Sequence, residues 1–386
     1  MKILHTSDLH LGKRTAGKSR LSEQAEALDE IASIAAEEKA DVILIAGDVF
    51  DTFMPPAEAE ELFYSSAVRL AKQAVVVAIA GNHDDAQRLA APARLANASG
   101  IILCGDDMSA LGVNRADGTR VTGGENYVRV EKNGEVLNLA VLGYPTAGKI
   151  LDLAGDVNFS DFVRNELEKG AKNFVRGEIN GILTHLFTVG GESMVTDERE
   201  LGGSKIISPE ILRFDDCAFA ALGHIHKPYV VSDKDNIVYS GSLLRYDFAD
   251  TSDKRVYIYE SGADGSVTRK ERLLSSPKPL VKIAATSEEE VLAGLEKVAD
   301  GYAWVEYTSD APLSASAVSG FKKYPCYCGI TAVCTARKTE TLARRGKTDG
   351  ELFSMFYEAK RGEKPSDETV ELFLRATRGE IKEGEL

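Results

Sequence analysis

Short apolar runs alternate with longer amphipathic stretches through the first quarter of the chain. Lys2-Ile3-Leu4-His5-Thr6 reads as a strand. Ser22 reads as the cap of a helix from about Glu23 to Glu38, because Ala27, Ile31, Ile34 and Ala35 recur at helical spacing. Asp41 to Ala46 is a continuous apolar strand ended by Gly47-Asp48, and a second helix follows Pro55-Pro56. Ala74 to Ala80 is another strand of the buried type, ended by Gly81-Asn82. Strands that are apolar throughout and alternate with helices predict an α/β sheet, parallel in part and covered on both faces.

The pattern then turns mixed. Tyr127 to Val130 and Val136 to Leu142 flank Asn133-Gly134, a strong hairpin-turn signal. A helix is expected over Phe159 to Lys169, and strands over Gly181 to Thr184 and Ala218 to Leu222, ending at His185 and Gly223-His224. Ile237 to Tyr239 and Arg255 to Tyr259 read as antiparallel strands. Two βα-like halves, sheet facing sheet, would fill one domain over residues 1–270. After a linker at Ser275 to Pro279, residues 277–340 read as a small α+β domain. Its strands are Leu280 to Ile283, Ala303 to Tyr307 and Gly329 to Val333, and its helix begins at the capping box Ser287 to Glu290. Residues 345–386 hold a helix pair, 349–361 and one capped by Ser366, with Leu352, Phe353, Phe356, Tyr357 and Phe373 as apolar positions. Two such short helices need something to pack against.

With 386 residues, 44% of them hydrophobic, the chain has ample core for two or three domains. No run approaches the length of a membrane span. The polar opening residues predict no signal peptide, and five irregularly spaced cysteines predict no disulfide framework, so a cytoplasmic protein is expected. A net charge of −14 argues against gripping nucleic acid by bulk charge. It does not exclude nucleic acid as substrate, because bound cations invert a local field.

The histidines carry the chemistry. Asp8-Leu9-His10, Gly47-Asp48-Val49-Phe50-Asp51, Gly81-Asn82-His83-Asp84, His185 and Gly223-His224-Ile225-His226 each follow an apolar strand. That places carboxylate, imidazole and amide donors at the carboxyl ends of strands, where open α/β sheets bind ligands. A donor set without cysteine suits Mn²⁺, Fe²⁺ or Zn²⁺. Two such ions need a bridging carboxylate, for which Asp48 is the natural candidate, and a pair of cations suits in-line displacement at phosphorus. His5 is expected only to pack or hydrogen-bond near the site.

This order of motifs resembles the calcineurin-like metallophosphoesterases. Within them, His5-Thr6-Ser7-Asp8-Leu9-His10-Leu11-Gly12, Tyr239-Ser240-Gly241-Ser242 and, in the tail, Phe356-Tyr357 with Arg361-Gly362 and Pro365 resemble the nuclease subunits of SbcC–SbcD-type repair complexes. Leu243 and Asp85 depart from the usual residues of that branch, and neither is an expected ligand. The resemblance implies a two-sheet sandwich with helices outside, a capping domain and a C-terminal helix pair. It implies Asp8, His10, Asp48 and His226 on one cation, and Asp48, Asn82, His185 and His224 on a second, with Mn²⁺ the expected metal and Mg²⁺, Fe²⁺ or Zn²⁺ the others. It assigns His83 to the scissile phosphate and leaving oxygen, with Asp51 orienting His83.

The activity implied is 3′→5′ exonuclease on duplex DNA and endonuclease on single strands and hairpins. The implied partners are DNA, a coiled-coil ATPase of the SbcC type docked on the tail helices, and a second copy of this chain. Residues 335–364 hold eight Lys or Arg against five Asp or Glu, which makes Arg344, Arg345 and Lys347 candidate phosphate contacts, against the plain reading of a solvated linker. Two other readings stay open: a small-molecule or cyclic-nucleotide phosphodiesterase, which would share the metal motif, and a non-catalytic scaffold that keeps metals structurally.

Overall fold

The computed structural model describes residues 1–105, 108, 111–145, 158–188, 206–275, 278–310, 313–335 and 347–377. The chain divides into two compact units, Met1–Val281 with Asp300–Tyr302, and Lys282–Ala299 with Ala303–Leu386.

In the first unit the elements run β1 (Lys2–Thr6), α1 (Leu21–Glu38), β2 (Val42–Ala46), α2 (Ala57–Ala71), β3 (Val75–Ile79), β4 (Ile101–Leu103), β5 (Gly112–Asn114), β6 (Arg120–Gly124), β7 (Tyr127–Lys132), β8 (Glu135–Leu142), α3 (Phe159–Ala171), β9 (Ile179–His185), β10 (Phe219–Gly223), β11 (Tyr229–Ser232), β12 (Ile237–Tyr239), β13 (Arg255–Ser261) and β14 (Val267–Leu273). They form two sheets, a six-stranded one ordered β14-β13-β1-β2-β3-β4 and an eight-stranded one ordered β11-β12-β10-β9-β8-β7-β6-β5. β1 to β4 are parallel, as are β8, β9, β10 and β12, and the remaining pairings within both sheets are antiparallel.

Strand alternation explains the layering. In β2, Val42, Leu44 and Ala46 join the core between the sheets, together with Val128, Leu139, Leu183 and Phe219 of the second sheet. Ile43 and Ile45 point the other way, onto Leu28 and Ile31 of α1 and Phe63 and Leu70 of α2. On the outer face of the second sheet, Ile182 and Leu222 pack with Phe162, Val163 and Leu167 of α3. Both faces of each sheet are therefore buried, which is why β2 and β3 read as unbroken apolar runs.

Four expectations need correction or extension. Arg20, not Ser22, precedes α1, and it makes no side-chain cap bond. Its fully buried guanidinium is bidentate on Glu23 at 2.7 Å, so an ion pair rather than a hydroxyl fixes the start of the helix. The strands at 237–239 and 255–261 do not pair with each other. β12 lies in the second sheet beside β10 and β11, whereas β13 pairs with β1 and β14 in the first. β5 and β6, short and partly polar, extend the second sheet beyond what periodicity showed. The Asn133-Gly134 turn is as expected, with φ of 52° and 83°.

In the second unit, β15 (Leu280–Ala285), β16 (Tyr302–Ser309) and β17 (Tyr327–Cys334) form a three-stranded sheet with α4 (Glu288–Lys297) and α5 (Ala315–Phe321). Ser287 caps α4 by accepting from Glu290 N. Glu290 closes the box one residue early, on Thr286 N at 2.7 Å. The tail helices are α6 (Asp349–Arg361), opened by a Thr348–Glu351 capping box, and α7 (Asp367–Thr377). They pack on each other through Phe353 and Phe373, stacked at 4.1 Å.

Candidate metal centre

The expected ligands meet where β1, β2, β3, β9 and β10 end. Parallel order brings the ends of β1, β2 and β3 side by side in one sheet and those of β9 and β10 in the other. Asp8, His10, Asp48 and His224 all have left-handed backbone, with φ of 50°, 44°, 49° and 107°. Side-chain-bearing residues take that conformation only where their surroundings impose it. Close approach imposes it here. A Cβ on Gly223 would lie 2.7 Å from His185 Nδ1 and 2.9 Å from the Ala46 carbonyl carbon, and one on Gly81 would lie 2.7 Å from Asp48 Cγ. The glycines of the motifs thus keep space for Asp48 and His185 across the two sheets.

The donors form two groups that share Asp48. In the first, ligand atoms of Asp8, His10, Asp48 and His226 all lie within 4.8 Å of one another. His10 Nε2 faces His226 Nε2 at 2.7 Å and Asp48 Oδ2 at 3.4 Å. In the second, Asn82 Oδ1 lies 2.9 Å from His185 Nε2 and 2.8 Å from His224 Nδ1, and His185 Nε2 lies 3.4 Å from Asp48 Oδ2. His185 Nδ1 donates to Ala46 O at 2.8 Å, which turns Nε2 toward the group. Facing imidazole nitrogens beside a buried carboxylate are a set of lone pairs converging on one point. That chemistry fits a divalent cation in each group, with the Asp48 carboxylate common to both.

The charges agree. Burial opposes ionisation of Asp48, but His185, His10 and His83 outweigh it and hold the carboxyl well below its ordinary range. Burial likewise disfavours charge on His185, but Asp48 and Asp8 outweigh it and draw its pKa up to about 10. A proton on His185 therefore compensates the carboxylates, and a cation can take its place. Burial keeps His10 below its ordinary value against the pull of Asp51 and Asp48.

His83 is half-buried beside this centre, within 4.8 Å of His10 and Asp51 measured between potential ligand atoms. Its Nδ1 donates to the Asp51 main-chain carbonyl at 2.8 Å, and its N–H donates to Asp48 Oδ1 at 2.8 Å. Asp51 thus holds His83 through its backbone. Its carboxylate pairs instead with Lys13 at 2.8 Å and approaches His10 Nδ1 at 3.4 Å. His5 lies away from the donors, bonded to Leu222 O at 3.1 Å, and burial pushes its pKa down to about 3.

Asp84 has a role that the motif alone does not reveal. Its carboxylate accepts from Val49 N at 3.0 Å, Phe50 N at 2.8 Å and Gly81 N at 2.8 Å, tying the Asp48 loop to the Asn82 loop. Burial and the nearby Asp48 raise its pKa to about 6, against those three donors. The signal available in sequence was its place directly after Asn82-His83. Of the candidate phosphate contacts, Arg344 and Arg345 lie outside the described residues, and Lys347 is exposed. On the tail helices Phe356 is 60% exposed, whereas Leu352, Phe353, Tyr357 and Phe373 are half-buried.

A family model for calcineurin-like phosphoesterases matches residues 1–228. The chain is also 33% identical over 399 residues to SbcD, the nuclease subunit of SbcCD, from Bacillus subtilis (strain 168), covering 98% of both chains. The matched family region includes every strand end that supplies a donor. On this agreement of sequence, fold and site, the chain belongs to the calcineurin-like phosphoesterase family.

Proposed function

We propose that the chain is a Mn²⁺-dependent DNA nuclease, acting as a 3′→5′ exonuclease on duplex ends and an endonuclease on single strands and hairpins. The observation that carries this reading is the buried Asp48 carboxylate between two donor groups, with His83 beside them. When bound, the two cations supply positive charge that offsets the phosphate oxygens and makes water a stronger acid. The protein's own groups do the rest. Asp48, Asn82 and the four ligand histidines fix where a phosphodiester can sit. His83 spends Nδ1 on the Asp51 carbonyl, so its Nε2 is the nitrogen that can carry a second proton to a departing 3′-oxygen. No covalent intermediate with the protein is required.

DNA as the substrate is supported by the relative that bears a nuclease name and aligns along the whole chain. The same relative supports a partner of the SbcC type, for which the exposed Phe356 offers an apolar contact on the tail helices. A homodimer and a DNA path along the capping domain, with Arg344, Arg345 and Lys347 as contacts, complete the proposal. A cytoplasmic setting accords with Cys104, Cys217, Cys326 and Cys328 being free thiols.

The test is cleavage of a blocked-end duplex and of a hairpin with Mn²⁺, with and without the ATPase. Cleavage of cyclic nucleotides or bis-p-nitrophenyl phosphate in preference to every DNA substrate would favour the small-molecule reading. Metal uptake without hydrolysis of any ester would favour the scaffold.

A further inference from the structure

The turn from Asp8 to Gly12 must place its main-chain polar groups, because it is buried. Its N–H groups are taken by the neighbouring loop: Asp8 N donates to Gly47 O at 3.0 Å, His10 N to Asp48 O at 2.9 Å and Leu11 N to Val49 O at 3.0 Å. Its carbonyls go elsewhere. Leu9 O accepts from the Tyr246 hydroxyl at 2.9 Å. His10 O accepts from Gln24 Nε2 at 2.7 Å, besides Lys13 N at 2.9 Å. The same Gln24 amide donates to the Tyr246 hydroxyl at 2.8 Å and accepts from Gly12 N at 3.1 Å.

Gln24 is completely buried in the first turn of α1, and Tyr246 is 9% exposed in the segment after β12. The Tyr246 ring also stands edge-on to two imidazoles, 6.0 Å from His10 and 6.4 Å from His226. One glutamine and one tyrosine therefore touch the backbone on both sides of His10 and the rings of two expected ligands. The left-handed φ values at Asp8 and His10 are the kind of conformation that persists only when several contacts over-determine it.

We propose that Gln24 and Tyr246 are positioning residues of the metal centre. Together they hold the left-handed Asp8–His10 turn and keep His10 facing His226, and so set the affinity of the group formed by Asp8, His10, Asp48 and His226. The proposal rests on the metal-dependent reading above. Groups that orient metal ligands matter to affinity because a ligand held in place loses little freedom on binding.

The test uses the full chain and Mn²⁺ alone, with binding followed by calorimetry. Tyr246→Phe keeps the ring and removes the hydroxyl. Gln24→Glu keeps the size and removes both N–H donors. Each should weaken one Mn²⁺ binding step by about 10-fold and leave the other near the wild-type value. On a DNA hairpin, kcat should fall with KM little changed, and excess Mn²⁺ should restore part of it. Tyr127→Phe is the control, since it removes a hydroxyl that donates to Asn138 at 2.6 Å in the second sheet, and it should leave Mn²⁺ binding intact. If both variants melt earlier in EDTA yet bind Mn²⁺ as tightly as wild type, the residues are structural only and the proposal falls. A wild-type chain that takes up no Mn²⁺ overturns both the proposal and the reading beneath it. Two ions on wild type with equal binding by both variants overturns this proposal alone.

Discussion

Gly223→Ala adds one methyl group where the two sheets come closest. The new Cβ would lie 2.7 Å from His185 Nδ1 and 2.9 Å from the Ala46 carbonyl carbon, with the carbonyl oxygen nearer still. Ordinary contact for a Cβ begins about 0.5 Å or more beyond those distances, so the Ala46 peptide and the His185 ring must both retreat. The 2.8 Å bond from His185 Nδ1 to Ala46 O spans this gap and cannot survive that retreat. Overpacking of this kind costs about 1–3 kcal/mol. Leaving the buried pair unsatisfied adds about 1–3 kcal/mol. The sum is about 2–6 kcal/mol, a large share of the stability of an ordinary domain. Because His185 moves away from Asn82 and Asp48, Mn²⁺ affinity should fall together with stability, and a ligand displaced by about 1 Å should lower turnover by about 100-fold. Urea denaturation in EDTA gives the first quantity, Mn²⁺ calorimetry the second and hairpin cleavage the third. A Gly223→Ala chain with wild-type stability and Mn²⁺ affinity would show that the sheets can part at no cost, and the reasoning about close approach would fail.

Further outcomes are expected. His83→Ala should keep both Mn²⁺ ions, measured by elemental analysis, and reduce cleavage by about 10²–10⁴-fold; wild-type cleavage would remove His83 from the reaction. Asp48→Asn should weaken both Mn²⁺ steps at once in calorimetry, whereas loss of one ion alone would show that the carboxylate is not shared. In metal-free protein the His185 pKa, drawn up to about 10, exceeds its ordinary 6.5. The folded state then holds a proton that the unfolded state lacks, so this contribution is full below about pH 6.5 and is lost as pH rises through about 10. Urea midpoints in EDTA should decline over that window, and Mn²⁺ binding at pH 8 should release protons in buffers of differing ionisation enthalpy. Phe356→Asp, on the exposed side of α6, should weaken capture of the ATPase partner in a pull-down while Mn²⁺ binding stays unchanged.

The donors were legible because each sits directly after an apolar strand, and a strand end is a local property. The same holds for the Asn133-Gly134 turn, which needs only positive φ at two positions, and for Thr348–Glu351 at the start of α6. Sheet order was not legible. β13 lies beside β1 although some two hundred and fifty residues separate them, and nothing in its own alternation names that neighbour. Asp51 shows the limit at the level of one residue. Its nearness to His83 could be anticipated, but the contact runs through its carbonyl because Lys13 takes the carboxylate.

The sequence by itself determined which residues carry the chemistry, since donor type and strand-end position are written in short segments. Only the tertiary structure decided how they are held. Gln24 and Tyr246 meet across 222 positions, Asp84 joins two loops through main-chain N–H groups, and Gly223 sets the gap between the sheets. Such contacts depend on the packing of whole layers. Their energies are spent on backbone groups that every residue shares, so no local pattern of side chains announces them.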